Sequence, residues 1–482
     1  MTTFQPIDML RVLPEIILCG FGILVMVLDP FIAPLRRSLL GWLALAGILA
    51  AAGGTFWISD HPGLAFGKAI AADEFSFYFF YLFLLVAALT VLGSVNYLER
   101  DGIQHGEFYA LLLMGTAGMC FMAASTDLIM VFIGLEISSI STYILVGFRR
   151  SDPLANEASF KYFLLGSFAT AFFLYGIAFV YGLTGTTNLL ELSGRLPHPE
   201  QWTMLGRVAL LLMFVGLAFK LSTVPFQIWT PDVYQGAPAP VTAFLSVGPK
   251  AAAFAILLRI FLGGLVSAAS TSFWIVWISA ILTMSLGNLA AIWQTNIKRM
   301  LAYSSIAHAG YVLVGVAAGG KEGTSAVLFY LTAYALMNVG AFVLIAHLAG
   351  DDELSTQIQD YTGLAYLRPG TAACLTVFLL SLAGFPTTAG FFGKFFLFRA
   401  AIHSHLIGLT IIALLNSVVS VYYYLHIVVA MYMREGTTKA SGTALPTALR
   451  TALAVSLVGI FYLGIFPNVF LSLSNTAGIP LP

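Results

Sequence analysis

The chain has 482 residues and no formal net charge, and it is 59% hydrophobic but only 9% charged. Soluble domains carry about 25% charged residues, so this composition excludes a soluble enzyme and predicts a polytopic membrane protein. The neutral balance gives no indication of a nucleic-acid partner. Three scattered cysteines without C-x-x-C or metal-ligand spacing are expected to be small apolar helix residues, and no metal site is predicted.

Fourteen hydrophobic segments are long enough to cross a bilayer, which takes about 20 mostly apolar residues. The chain start lacks the basic region and small-residue cleavage site of a signal peptide, so the first segment is expected to remain as a helix. The predicted fold class is therefore an all-α polytopic membrane protein. In chain order the segments lie near 9–28, 39–58, 75–95, 107–125, 127–148, 159–183, 204–224, 241–262, 272–293, 299–318, 324–349, 370–402 (interrupted), 407–433 and 447–472.

Lysine and arginine in the loops predict the orientation, because the cytoplasmic side carries the excess. Alternate loops, starting after the first segment, hold 11 of these residues, and the loops on the other side hold 7. We therefore expect both termini on the periplasmic, outer side, and an even number of spans does place the two termini on one side.

Five ionisable residues lie inside these apolar segments: Lys161, Lys220, Lys250, Lys394 and a single deep carboxylate, Glu136. A charge at bilayer depth costs at least about 2.5–3.5 kcal/mol on insertion scales, and such residues usually face the bundle interior or a water-filled path. One acid and four bases among apolar helices indicate proton handling. Lys161 stands early in its segment, where a side chain that reaches back to the interface is the alternative.

Proline and glycine interrupt two of the segments, over 220–240 and over 383–394. Proline removes a backbone donor, and freed carbonyls at membrane depth are tolerated only where they are buried in protein or line a wet cavity. A lysine begins the first break and ends the second, whereas Gly248-Pro249, just before Lys250, is a weaker third point. An ordinary proline kink without transport remains the alternative for each break.

Breaks at matching places in two halves are typical of a transporter with inverted repeats. The register predicts two inverted five-helix repeats, in which helices 7 and 12 are the broken ones. The expected domains are helices 1–3 at 1–106, a first repeat of helices 4–8 at 107–262, a second repeat of helices 9–13 at 263–433, and a C-terminal helix at 434–482.

The longest connectors carry one acidic run, Asp351-Asp352-Glu353, which we expect to be a solvated loop. A diphosphate-binding D-D-x-x-D motif would need an acid at Ser355, so a membrane prenyl transferase is not supported.

Several motifs together carry a resemblance to a known family, and they include F-I-G-L-E-I-S-S at 132–139, K-R-M-L-A-Y-S-S-I-A-H at 298–308 and the Gly-Phe-Pro of the second break. Others are E-A-S-F-K-Y-F at 157–163, F-K-L-S-T-V-P-F at 219–226 and W-T-P-D-V-Y-Q-G-A-P at 229–238. With them the chain resembles the antiporter-like membrane subunits of respiratory complex I, the proton-pumping NADH:quinone oxidoreductase. The resemblance is strong over 100–430 and weaker at the ends, and it is closest to the subunit N type.

The resemblance implies proton transfer along six residues: Glu136, Lys161, Lys220, Lys250, His308 and Lys394. Glu136 would pair with Lys220, and Lys250 would be the central carrier. His308 would bridge two half-channels, and Lys394 would exchange protons on the far side. Lys161 would be an accessory member, and Asp232 would be a structural or gating carboxylate.

The family also implies a non-redox subunit of a translocase in a bacterial plasma (inner) membrane. The sequence has no P-loop and no GxGxxG before a helix, so we expect this chain to bind no cofactor. NADH, FMN, iron–sulfur clusters and quinone would belong to partner subunits, among them paralogous antiporter-like subunits.

Two other functions remain open. A subunit of a multisubunit sodium/proton antiporter would need several buried oxygen ligands, whereas Glu136 is nearly the only deep carboxylate found from the sequence. A structural spacer would have no proton flux of its own.

Overall fold

The computed structural model describes residues 6–33, 36–195, 204–264, 269–435, 439 and 444–477. Across these residues the chain is a helical bundle, which confirms the predicted all-α membrane fold. One small antiparallel sheet pairs β1 (Gly63–Ala65) with β2 (Ile70–Ala72). The helices are α1 (Pro6–Arg11), α2 (Leu13–Leu28), α3 (Ser38–Ile58), α4 (Glu74–Arg100), α5 (Gly106–Ala124), α6 (Leu128–Val146), α7 (Pro153–Thr184), α8 (Leu189–Arg195), α9 (Met204–Leu221), α10 (Trp229–Gly236), α11 (Ala239–Leu258), α12 (Ala269–Ile292), α13 (Ile297–Ala318), α14 (Gly320–Leu348), α15 (Leu364–Leu367), α16 (Pro369–Ala383), α17 (Ala389–His403), α18 (Ile407–Met433), α19 (Thr447–Ile465) and α20 (Pro467–Ala477).

Thirteen helices in the described part of the chain are long and apolar enough to cross a membrane. Each corresponds to one of the predicted segments, and the remaining segment, 370–402, is divided into α16 and α17 of 15 residues each. The boundary between the fourth and fifth segments lies where the sequence placed it. Asp127 caps α6 there, because its carboxylate accepts a hydrogen bond of 2.9 Å from the Ile129 backbone N–H. The count of fourteen spans and the inverted repeats stay predictions.

Both predicted helix breaks are present. α9 ends at Leu221, and the next helix begins only at Trp229, after Ser222 with a positive φ of 60°. α16 ends at Ala383 and is capped by Gly384 with φ +92°, a left-handed conformation that favours glycine. Pro249, in contrast, lies inside the continuous helix α11, so the weaker third break predicted at Gly248-Pro249 does not interrupt the helix.

The core of the bundle lies on α11 and α14. The apolar windows of these two spans are entirely buried, whereas only 28% of the corresponding window of α18 is buried. Helices such as α7 and α18 therefore leave broad apolar surfaces at the periphery, as expected of helices that face lipid or neighbouring subunits. The residues 1–5 and 478–482, on which the expected location of the termini depends, lie outside the described residues.

Candidate proton-transfer site

Lys220 occupies the last turn of α9, immediately before the first break. Its side chain is buried, with a residue exposure of 4%, and its ammonium donates to the Tyr162 hydroxyl at 3.4 Å. The same nitrogen lies 5.2 Å from the ring centroids of both Tyr143 and Tyr162. The negative faces of the two rings attract the ammonium electrostatically, in place of a directly contacting carboxylate.

Glu136 lies in the middle of α6 and is half-buried. Its charge acts on Lys220, but these two side chains are not among the ion pairs within 4 Å in the described ranges. The expected pair of Glu136 with Lys220 is therefore a longer-range electrostatic interaction. Oε1 of Glu136 is buried and has no hydrogen bond among the described residues.

Lys250 lies in the middle of the fully buried α11. Its ammonium donates a hydrogen bond of 2.6 Å to the Ser305 hydroxyl of α13. It also lies 5.5 Å from the ring centroid of Tyr234, whose hydroxyl is 3.4 Å from that of Ser305. Lys250 therefore links the two helices through a hydroxyl cluster.

His308, three turns into α13, has a tyrosine hydroxyl at each ring nitrogen. Nδ1 lies 2.6 Å from the Tyr330 hydroxyl and Nε2 lies 3.0 Å from the Tyr424 hydroxyl. A third ring, that of Tyr334, stacks on the imidazole with a centroid separation of 5.0 Å. A neutral imidazole donates through one nitrogen and accepts through the other, so this arrangement can receive a proton on one side and release it on the other.

Lys394 lies in α17, beside the second break. Its ammonium donates to the Ala383 carbonyl at 2.9 Å and to the Ser417 hydroxyl at 3.0 Å. Ala383 ends α16, so the break leaves its carbonyl without a helical partner and free to accept from the lysine. Lys394 also lies 5.0 Å from the ring centroid of Tyr311.

Contacts among aromatic rings and hydroxyls connect these side chains. Tyr162, beside Lys220, stacks on Trp229 at 4.4 Å, and Trp229 in turn meets Tyr234, beside Lys250, at 6.3 Å. Farther along, the His308 ring lies 5.8 Å from the Tyr311 ring. The residues that form this buried row, which we call the lysine row, are Lys220, Lys250, His308 and Lys394.

Lys161 does not belong to the lysine row. Its side chain is 40% exposed and forms ion pairs of 2.7 Å with both Glu157 and Asp232. Asp232 also binds Arg299 at 2.7 Å, and the four side chains line a cavity of about 210 Å³. Burial alone would raise the pKa of Asp232, but Lys161 and Arg299 outweigh it and hold that pKa below its usual range. The expectation that Lys161 is buried like the other three lysines is therefore wrong, because an acidic partner on each side holds it at a partly open surface.

Glu15 and Glu353 are buried acids that were not singled out from the sequence. Glu15 in α2 is 1% exposed, so the expectation of a single deep carboxylate is wrong. Its position inside the predicted segment 9–28 was a sufficient signal. The side chain of Glu353 is 6% exposed, because it pairs with Lys298 at 2.5 Å, whereas Asp351 and Asp352 are exposed as expected. Burial alone would raise the pKa of Glu353, but Lys298 and Arg149 hold it below its usual range.

Comparison with known proteins identifies the family of this chain. Residues 125–420 match the family model described as NADH:quinone oxidoreductase/Mrp antiporter, TM. A protein of Solibacter usitatus (strain Ellin6076), named NADH-quinone oxidoreductase subunit N 1, is 52% identical over 480 residues, which cover 99% of this chain and 99% of that protein.

Solved structures agree with this family. A chain of respiratory complex I from Thermus thermophilus, with bound aureothin, is 34% identical and superposes with a TM-score of 0.81 over 96% of this chain and 99% of that one. A chain of the Mrp complex from Dietzia sp. DQ12-45-1b is 24% identical, with a TM-score of 0.84 over 97% of each chain, and this likeness shows the fold alone. The chain therefore belongs to the subunit N family of NADH-quinone oxidoreductases.

Proposed function

We propose that this chain is the proton-translocating, non-redox membrane subunit of an NADH:quinone oxidoreductase, and so part of a translocase. The observation that carries the proposal is the lysine row, in which three lysines and a histidine are buried side by side with hydroxyl and aromatic partners. Buried charges without counter-ions are costly, so such a row is built for groups that gain and lose protons.

The proposed transfer begins at Lys220, where Glu136 acts at a distance. A movement that brings the carboxylate closer would stabilise the ammonium, and a movement away would release its proton. The next acceptor is Lys250, which is reached past the stacked rings of Tyr162 and Trp229. Quinone reduction elsewhere in the complex would drive the change in the pairing.

From Lys250 the proposed path runs through the serine hydroxyls of α13 to His308. Lys250 binds Ser305, and the neighbouring Ser304 bonds to the Tyr424 hydroxyl, which also binds Nε2 of His308. A hydroxyl both donates and accepts, so each of these groups can pass a proton onward. Lys394 would then exchange the proton with the far side of the membrane.

Redox chemistry would occur in partner subunits, which would hold NADH, FMN, iron–sulfur clusters and quinone. The chain would lie in the plasma membrane of a bacterium beside paralogous antiporter-like subunits, with both termini outside. Names of the related proteins and the complex I superposition support this assembly.

A subunit of a sodium/proton antiporter is the second candidate, and the fold shared with the Mrp chain favours it. Sodium is held by several oxygen ligands, whereas each lysine of the row has a ring, a single hydroxyl and, for Lys394, one backbone carbonyl as partners. This chemistry supports proton transfer over sodium transfer.

The test measures proton uptake per NADH oxidised by the purified complex in liposomes. Lys250→Met should lower this proton yield, while Lys321→Met, at an exposed lysine in α14, should match the wild type. A Lys250→Met complex that assembles fully and keeps the wild-type yield would refute the proposal. Uptake of radioactive sodium that is coupled to NADH oxidation would instead favour the antiporter function.

A further inference from the structure

Glu353 lies in the connector after α14 and is the centre of a buried cluster of hydrogen bonds. Its Oε1 accepts from the Tyr97 hydroxyl at 2.5 Å and from the Ala239 backbone N–H at 2.6 Å, and its Oε2 accepts from the Lys298 ammonium at 2.5 Å. The guanidinium of Arg149 stands 4.0 Å away. Two cations, a phenol and a helix N-terminus thus converge on one carboxylate.

The partners of Glu353 come from the ends of three helices. Tyr97 is near the end of α4, Ala239 begins α11, and Lys298 stands in the first turn of α13. Lys298 also donates to the Ala237 carbonyl at 2.7 Å, just before α11. The carboxylate suits this place because the unpaired N–H groups at the start of a helix favour a negative charge. We call Glu353 and Lys298 the end clamp.

Two of the helices that the end clamp joins, α11 and α13, carry the middle of the lysine row. α11 carries Lys250, and α13 carries Ser305 and His308. Ser305 follows Lys298 by seven residues, which is about two helical turns or roughly 10 Å. A helix is stiff over that distance, so displacement of the start of α13 against the start of α11 changes the separation of Lys250 from Ser305.

We propose that Glu353 is a positioning residue for proton transfer, which holds α11 and α13 in the register that brings Lys250 within 2.6 Å of Ser305. This inference rests on the proposed function of the lysine row. Glu353 itself stands outside the row, because its partners are Tyr97, Lys298 and the Ala239 backbone N–H rather than members of the row.

The neighbouring carboxylates, Asp101 and Asp351, cannot replace Glu353 in the end clamp. Asp101 already pairs with Arg149, and Arg100 lies against Asp101 at 2.8 Å and Asp351 at 3.5 Å. The side chain of Asp351 is 82% exposed, so it cannot take the buried place of Glu353. The start of α13 has a second anchor, the pair of Arg299 with Asp232, which binds α10 rather than α11.

The experiment compares Glu353→Gln with Asp352→Asn, an exposed neighbour in the same connector, in the complete complex. Assembly, NADH:quinone reduction and proton yield per NADH are measured in liposomes. We expect Glu353→Gln to lower the proton yield while the rate of quinone reduction and the subunit content stay at wild-type values, and Asp352→Asn to change none of the three. A wild-type proton yield from assembled Glu353→Gln overturns the inference.

A second variant covers failure to assemble. Glu353→Leu with Lys298→Met removes both charges, and replacement of a whole buried pair is tolerated far better than loss of one partner. If the double variant assembles with a lowered proton yield, the positioning role stands. If it recovers the wild-type yield, or fails to assemble as well, Glu353 has only a structural role. A normal yield from Lys250→Met would refute the proposed function separately.

Discussion

Gly390, in the first turn of α17, lies tightly against α16 across the second break. A Cβ placed there would lie 1.8 Å from the backbone carbonyl oxygen of Ser381, whereas ordinary contacts begin at 3.4 Å. Gly390→Ala therefore forces α16 and α17 about 1.6 Å farther apart, at a cost of about 1–3 kcal/mol or more for overpacking. Lys394 lies one turn farther along, and its 2.9 Å hydrogen bond to Ala383 crosses the same gap.

A displacement of that size lengthens the contact of Lys394 with the Ala383 carbonyl beyond hydrogen-bonding distance. A hydrogen bond to a charged group contributes about 1.5–3 kcal/mol, so we expect a loss of proton yield per NADH close to that of Lys394→Met. The yield is measured in liposomes with the assembled complex. Gly370→Ala, in α16 with open space around its Cβ, is the matched control and should match the wild type. A wild-type yield from Gly390→Ala would show that the break geometry does not govern Lys394.

Lys161→Met should keep most of the proton yield, and it should change the free energy of unfolding by less than about 1 kcal/mol, because Asp232 retains its pair with Arg299. A loss of proton yield as large as that of Lys250→Met would contradict this prediction. Tyr424→Phe should slow proton uptake, since His308 loses a hydroxyl at 3.0 Å, which costs about 1–3 kcal/mol; initial uptake rates test it. The pKa of Glu353 is below its usual 4.5, so its ion pairs stabilise the chain fully above that pH, and this stability is lost as the pH falls through the lowered pKa. Thermal melts from about pH 6 down to about pH 3 should fall more steeply for the wild type than for Glu353→Gln.

Much of the fold could be predicted because the membrane imposes local rules. Every spanning helix must satisfy its own backbone, so hydropathy and length alone located thirteen of them. The two breaks were equally visible, since proline and glycine act through local backbone geometry. Lys220, Lys250 and Lys394 stood out because a charge in an apolar segment is a local anomaly.

Partners far apart in the chain could not be predicted in the same way. Glu353 lies in a polar connector, and its contacts with Tyr97 and Lys298 span 256 and 55 residues. Nothing in an acidic run distinguishes the one carboxylate that turns inward from its two exposed neighbours. Lys161 misled for a different reason: its segment is apolar, and of its two acidic partners only Glu157 stands one helical turn away in the sequence, whereas Asp232 becomes a neighbour only in three dimensions.

The lysine row and the end clamp both involve α11 and α13, but their charged groups have different kinds of partner. Lys298 and Glu353 form a close ion pair with backbone partners, in which loss of Glu353 leaves the Lys298 ammonium buried without its carboxylate partner. Lys250 instead binds a hydroxyl and faces a ring, and hydroxyls accept from an ammonium or donate to an amine with little rearrangement. In the proposed mechanism, the lysine row gains and loses protons while the Glu353–Lys298 pair stays outside the transfer. The pair would then hold α11 and α13 in register without taking part in the transfer that it aligns.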